Sequence, residues 1–114
     1  MSECLFCKID KGEIPAEKVY DKDGEFAIKD INPQAPIHLL IIPKKHFSTI
    51  LEIKEDDHEL IGSIYSVANE LAKQKGLDKT GFRIVVNCGV EAGQSVFHIH
   101  YHLLGGRSLK WPPG

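Results

Sequence analysis

Hydrophobic positions change their spacing along this chain, and the spacing predicts its elements. Leu60, Ile61, Ile64, Tyr65, Val67, Ala68, Leu71 and Ala72 recur at three- and four-residue steps, which on a helix forms one apolar stripe. Glu55, Asp56 and Asp57 suit the start of that helix and Gly76 its end, so a helix is predicted over 55–75. His38-Leu39-Leu40-Ile41-Ile42 is a continuous apolar run stopped by Pro43 and reads as a buried strand. Phe82 to Asn87 and Phe97 to Leu104 read as two further strands. Lys18-Val19-Tyr20 and Phe26-Ala27-Ile28 flank Asp21-Lys22-Asp23-Gly24, a hairpin signal in which Gly24 can supply a positive φ. Leu5 to Lys11 reads as a short helical turn ending at Gly12. Asn32-Pro33 and Ala35-Pro36 mark a loop.

The order is hairpin, strand, long helix, two strands. That predicts an α+β fold with an antiparallel sheet, one face covered by the long helix and the other free for a site or a partner. The 114 residues suit a single domain over 1–114.

Composition narrows the function classes. There are 14 basic and 16 acidic residues, a formal charge of -2, so the basic footprint of a nucleic-acid binder is missing. A small nucleotide remains a candidate, because one phosphate needs only a few local donors. No apolar run approaches the roughly 20 residues of a membrane span. The start lacks a basic segment followed by an apolar one, so no signal peptide is expected and the cytoplasm is the expected compartment. Cys4, Cys7 and Cys88 there suggest thiols or metal ligands rather than a disulfide framework.

Three of the six histidines fall at 98, 100 and 102. Spacing by two places them in a row on one face of a strand, with Phe97, Ile99, Tyr101 and Leu103 on the core side. Such a row suits two kinds of chemistry. Neutral imidazoles bind zinc, and one imidazole can attack while its neighbours fix tautomers and move protons. Spacing alone does not choose between them. Gly93-Gln94-Ser95 just before the row is a weak signal by itself, but in that place it suits a phosphate cradle.

The block Gly93-Gln94-Ser95-Val96-Phe97-His98-Ile99-His100-Tyr101-His102-Leu103-Leu104 resembles the signature of the histidine triad family. Asp30 to Pro36, Ile42-Pro43-Lys44-Lys45-His46, Gly105-Gly106 and Trp111-Pro112-Pro113-Gly114 resemble its Hint-type purine nucleoside phosphoramidase branch. The resemblance implies a five-stranded antiparallel sheet with one long helix and a short N-terminal helix, extended to ten strands in a homodimer. It implies a hydrolase of purine nucleoside 5′-phosphoramidates in which His100 attacks the α-phosphorus to form a nucleotidyl-histidine. His38 and His102 would complete a hydrogen-bonded relay around it, and a carbonyl of the histidine strand would fix one ring nitrogen of His100. Ser95 would face the leaving amine, and the main-chain NH groups of Gly93, Gln94 and Ser95 would hold the phosphate oxygens. Asp30 would accept from the ribose hydroxyls, although its residue type also suits capping the Asn32-Pro33 turn. Leu5, Phe6 and Ile31, with Ile9 and Ile28, would form an apolar slot for the base, and Asn87 would lie on the phosphate side. The alternatives are a nucleotide-binding regulatory module with incidental hydrolysis, and a dinucleoside polyphosphate hydrolase. A zinc-dependent hydrolase using all three histidines ranks last, since no nearby acid suits a metal-activated base.

Cys4-Leu5-Phe6-Cys7 is a C-x-x-C pair that, with two imidazoles, suits tetrahedral zinc. By resemblance to zinc-binding bacterial relatives the four ligands would be Cys4, Cys7, His46 and His98. Zinc would then be structural, with no cofactor required for catalysis. Lys44 and Lys45 read as a solvated patch, His58 as exposed and Cys88 as a buried small residue. The resemblance places the Trp111 tail near a partner subunit's site and makes Tyr65 and its helix a dimer face.

Overall fold

The computed structural model describes residues 4–114. Along the chain they form α1 (Leu5–Asp10), β1 (Lys18–Asp21), β2 (Glu25–Lys29), β3 (Ile37–Pro43), α2 (His58–Gln74), α3 (Leu77–Thr80), β4 (Phe82–Val86) and β5 (Tyr101–Gly105). Short 3-10 turns lie at Ile50–Glu52, Glu55–Asp57 and Val90–Ala92. The strands make one antiparallel sheet in the order β1-β2-β3-β5-β4. This is the expected α+β architecture, with five antiparallel strands, one long helix and a short N-terminal helix.

Each face of the sheet carries a core. Ala27, Leu39, Ile41, Tyr101 and Leu103 point to one side, where Ile64, Val67, Ala68 and Leu71 of α2 close over them. Phe26, Ile28, Leu40 and Ile42 point to the other, where Phe6 and Ile9 of α1 pack. The second face is therefore not left free as expected. α1 is short, but its two buried side chains cover the β2–β3 part, and the functional groups lie beside that cover.

Several boundaries differ from the sequence prediction for physical reasons. Glu55 to Asp57 form a 3-10 turn rather than the first helical turn. Asp57 is buried there, taking Lys45 Nζ at 2.7 Å and the Lys54 amide at 3.0 Å. These two donors, Lys45 first, hold its carboxyl below the usual aspartate range. Lys45 is thus paired, as is Lys44 with Asp21 at 2.8 Å, and neither is simply solvated. His58 is exposed as expected, while Cys88 is half-buried rather than buried. Gly76 ends α2 at φ 77° and starts the short α3, which the hydrophobic pattern did not announce. Gly24 is absent from the residues with positive φ. What it supplies is room, since a Cβ there would lie 3.1 Å from Leu60 Cδ1.

The strand expected over Phe97–Leu104 begins only at Tyr101. Its pairing with β3 stops at Ile41 opposite Tyr101. Two residues further along, Pro43 has no amide hydrogen with which to extend the ladder. Residues 97–100 nevertheless keep the alternation in part, because the Ile99 amide bonds to Phe47 O at 2.9 Å and Ile99 is fully buried. Phe97, placed by spacing on the core side, is 43% exposed.

Gly105 ends β5 against Leu77, and a Cβ there would meet Leu77 Cδ1 at 2.7 Å and Cγ at 3.2 Å. Leu77 anchors α3 and is buried, so it cannot swing away freely. Gly105→Ala is expected to destabilise the protein by about 1–3 kcal/mol. Adding Leu77→Ala relieves the clash, so the double variant should lose less than the sum of the single losses. Urea unfolding of the three variants checks both expectations.

Candidate active site and metal centre

β5 enters the sheet beside β3 and sets Leu40 opposite His102 and His38 opposite Leu104. His38 and His102 are then diagonal neighbours on one face, within reach of each other. Their rings meet, with His38 Nε2 2.9 Å from His102 Nδ1. The Gln34 amide donates to His38 Nδ1 at 3.0 Å. A nitrogen that accepts carries no proton, so the His38 proton sits on Nε2 and is donated to His102 Nδ1. His102 in turn carries its proton on Nε2. Asp30 Oδ2 lies 3.3 Å from His38 Nε2. Asp30, His38 and His102 are thus clustered, but a proton on His38 Nε2 makes the cluster a hydrogen-bonded relay and not a set of metal ligands.

His100 is fixed in a similar way. Its Nδ1 is 2.9 Å from the His98 carbonyl, which can only accept. The proton is therefore on Nδ1, and Nε2 keeps a free lone pair. Phe6 stands edge-on to the ring at 5.0 Å between centroids, and the His102 ring is 5.1 Å away on the other flank. Burial lowers the pKa of His100, against smaller opposing effects of the His98 carbonyl and Asp30. Burial, then the neighbouring His100 and His38, push His102 down to about 4. His38 is lowered too, by burial. All three are held neutral at pH 7, the state needed by a nucleophile and a neutral relay.

His98 turns its ring elsewhere. Its Nε2 donates to the Pro43 carbonyl at 2.7 Å, which leaves the Nδ1 lone pair facing Cys4 Sγ at 3.3 Å, Cys7 Sγ at 3.6 Å and His46 Nδ1 at 3.1 Å. Cys7 Sγ is 3.6 Å from His46 Nδ1. All four atoms lie within 4.8 Å of one another. Bonds of about 2.0 Å to nitrogen and 2.3 Å to sulfur make the edges of a tetrahedral zinc site about 3.3–3.8 Å. The observed separations fall close to that range. The two Nδ1 atoms, one of them with its lone pair turned inward, crowd together in a way that a shared cation would relieve. The donor set therefore fits zinc. Cys4 is the N-cap of α1 and accepts the Cys7 amide at 3.4 Å, which folds both thiols to one side. Bound zinc would tie the start of α1 to the segment after β3 and to His98.

The loop before the histidines is braced by its own hydrogen bonds. Gln94 is buried, its Oε1 accepts the Gly89 amide, and its Nε2 donates to the carbonyls of Ser48 and Val96. The main-chain amides of Gly93 and Gln94 donate to Val90 O and Gly89 O. Gln94 is thus a strut, and the main-chain hydrogens of Gly93 and Gln94 are engaged within the loop. Ser95 is exposed on the wall of a groove of about 400 Å3 with Cys4, Leu5, Val96 and Phe97. Asn87 Nδ2 holds the Ala92 carbonyl at 2.7 Å and shapes the same loop. Asp30 Oδ1 accepts the Asn32 amide at 2.8 Å, the turn cap that its residue type suggested. Phe6, Ile9 and Ile28 are buried, whereas Leu5 is partly exposed and Ile31 fully exposed.

Comparison with known proteins finds relatives along nearly the whole chain. Residues 3–110 match the family model described as scavenger mRNA decapping enzyme C-term binding. An uncharacterized HIT-like protein of Synechocystis is 47% identical over 98% of this chain and 97% of its own length. A 14 kDa zinc-binding protein of Zea mays is 51% identical over 99% of this chain and 89% of its own. The crystal structure of a HIT family hydrolase from Legionella pneumophila superposes with a TM-score of 0.97 at 54% identity, covering 98% of this chain and all of that one.

Protein produced with zinc in the medium should carry about one zinc per chain, and cobalt in its place should show thiolate absorption. Cys7→Ala should lose the metal and melt at a lower temperature. Elemental analysis and calorimetry read this out, and equal metal contents in the two proteins would remove the assignment.

Proposed function

The chain belongs to the histidine triad family, and from that premise we propose that it hydrolyses purine nucleoside 5′-phosphoramidates, such as AMP-lysine or AMP-NH2, through a nucleotidyl group carried on His100. The observation that carries the proposal is the His100 Nδ1 bond to the His98 carbonyl, because it leaves Nε2 as a neutral, oriented nucleophile. His100 Nε2 attacks the α-phosphorus, a phosphorus–nitrogen bond to the enzyme forms, and the bond to the substrate amine breaks. The amine leaves with a proton, since an unprotonated amine is a poor leaving group. His102 Nε2–H hydrogen-bonds the leaving nitrogen and orients it while the amine takes its proton from solvent, because a neutral imidazole that gave up this hydrogen would be left as an imidazolate. Ser95 contacts the leaving side. Water then attacks phosphorus, its proton is released to solvent, and AMP and free His100 result. Splitting the reaction into two displacements is what a histidine nucleophile contributes.

Asp30 suits the ribose hydroxyls because its carboxylate is partly exposed at the end of β2. Leu5 and Ile31 suit the base because they remain accessible apolar surface. The phosphate oxygens fall to Asn87 and the Ser95 amide. The active form is a homodimer joined along β4, whose outer edge pairs with no other described strand. Tyr65, 46% exposed on α2, lies on the same interface, and the exposed Trp111 tail reaches the partner's site. Among the described residues no helix is long and apolar enough to cross a membrane; the proposed compartment is the cytoplasm.

Steady-state kinetics on AMP-morpholidate, AMP-lysine and diadenosine polyphosphates test the reading. Phosphoramidates are expected to give the higher kcat/KM, and His100→Ala should lower it at least about 1,000-fold. A preference for the dinucleotides would favour polyphosphate hydrolysis, and AMP binding without turnover would favour a regulatory module. Normal turnover by His100→Ala would remove the nucleophile assignment.

The pH profile follows from the lowered imidazoles. The neutral forms are active, and a lowered pKa postpones protonation to more acidic pH. The acid limb of kcat/KM should therefore lie below the ordinary histidine value of 6.5. A limb at or above 6.5 in the pH–rate profile would contradict the burial of the relay.

A further inference from the structure

The loop from Asp30 to Pro36 sets the relay, because the Gln34 amide is what keeps the His38 proton on Nε2. This loop has little with which to hold itself. Pro33 and Pro36 bring no amide hydrogens, and Gln34 itself is exposed. Inside the loop, the Asn32 amide donates to Asp30 Oδ1 at 2.8 Å and Gln34 Nε2 donates to Asn32 O at 3.0 Å. The remaining grip comes from outside. Arg107 Nε and Nη2 both donate to the Gln34 carbonyl, at 3.2 Å and 2.9 Å. Nη1 turns back to Ser108 O at 2.9 Å.

The approach of Arg107 is itself built in. Gly106 has φ +94°, and a Cβ there would come within 3.0 Å of Pro36. A positive φ at a site this tight favours glycine, and it lays the chain after β5 directly over the loop. Arg107 reaches the Gln34 carbonyl from there, with a charge-assisted bond stronger than a neutral one. The resulting chain of contacts runs from Arg107 through the Gln34 residue to His38 and on to His102.

We propose that Arg107 is a positioning residue for the proton relay. It holds the Gln34 carbonyl, which holds the Gln34 amide against His38 Nδ1, which keeps a donor proton on His102 Nε2. Without that grip the Gln34 amide drifts from His38, and the His38 proton is free to move to Nδ1. His102 Nδ1 then loses its donor, takes up the proton itself, and presents no N–H to the leaving amine. The kinetic consequence rests on the proposed function, in which His102 Nε2–H is the hydrogen-bond donor to the leaving nitrogen. The tautomer consequence does not.

The test compares Arg107→Ala and Arg107→Lys with the wild-type protein. Nitrogen-15 spectra of the imidazoles should show His38 as the Nε2–H tautomer in the wild type and as a mixture in Arg107→Ala. With AMP-morpholidate, kcat should fall about tenfold, roughly the worth of one charge-assisted hydrogen bond, while KM stays within about twofold. Arg107→Lys, which retains the charge and one donor, should lie between. Added methylguanidinium should restore part of kcat to Arg107→Ala and none to Arg107→Lys. A melting curve shows that the variants are folded. His38 remaining wholly Nε2–H in folded Arg107→Ala would overturn the proposal whatever the activity, as would an unchanged kcat. If the protein turns over no phosphoramidate, the function reading fails, and the His38 spectrum still decides the role of Arg107.

Discussion

His98 joins the two halves of the site through one buried hydrogen bond. Its Nε2 donates to the Pro43 carbonyl at 2.7 Å, and because that ring nitrogen holds the proton, Nδ1 turns a lone pair toward Cys4, Cys7 and His46. The same residue's carbonyl accepts from His100. The ring belongs to the metal centre and the main chain to the nucleophile. A fully buried polar ring has no water to fall back on, so losing the Pro43 carbonyl would leave an unpaired donor at a cost of about 1–3 kcal/mol. It would also release both neighbours from their orientations.

Sheet order does the rest. With β5 between β3 and β4, His102 lies next to β3 and within reach of His38, while Phe6 of α1 closes over His100. Burial disfavours the charged form of each imidazole, which is why His38, His100 and His102 are all lowered. The relay is neutral because it is packed, and its tautomers trace back to main-chain groups, that of His102 through His38. Carbonyls set His98 and His100, and an amide sets His38. Those main-chain groups sit at element ends: Pro43 at the end of β3, Gln34 in the loop before it, and His98 just ahead of β5.

Much of this was readable in the residues. The period of α2, the apolar run of β3 and the alternation of Ile99, Tyr101 and Leu103 report burial directly. The spacing of His98, His100 and His102 put them on one side of the chain, and Cys4 and Cys7 marked a thiol pair. What was not readable depends on partners distant in sequence. Nothing in Gln94 shows that Gly89, Ser48 and Val96 engage its amide. Ile9 and Ile28 read nearly equally well as slot or core, and their burial shows only once α1 is laid on the sheet. The early end of β5 pairing follows from Pro43, which matters only once β3 and β5 are known to be neighbours. Arg107 was missed altogether. The signal was a Gly-Gly-Arg run after the last strand, but its target, a carbonyl in a proline-bounded loop, exists only in three dimensions.

The central claim is that His100, held by His98, carries the nucleotide. It is tested most directly by acid- or denaturant-quenching the enzyme during turnover of an adenosine phosphoramidate and mapping the covalent adduct by mass spectrometry. The account predicts a nucleotidyl group on His100 alone, formed and lost at rates compatible with kcat. An adduct on His98 or His102, or turnover with no adduct at any time during the reaction, would contradict it.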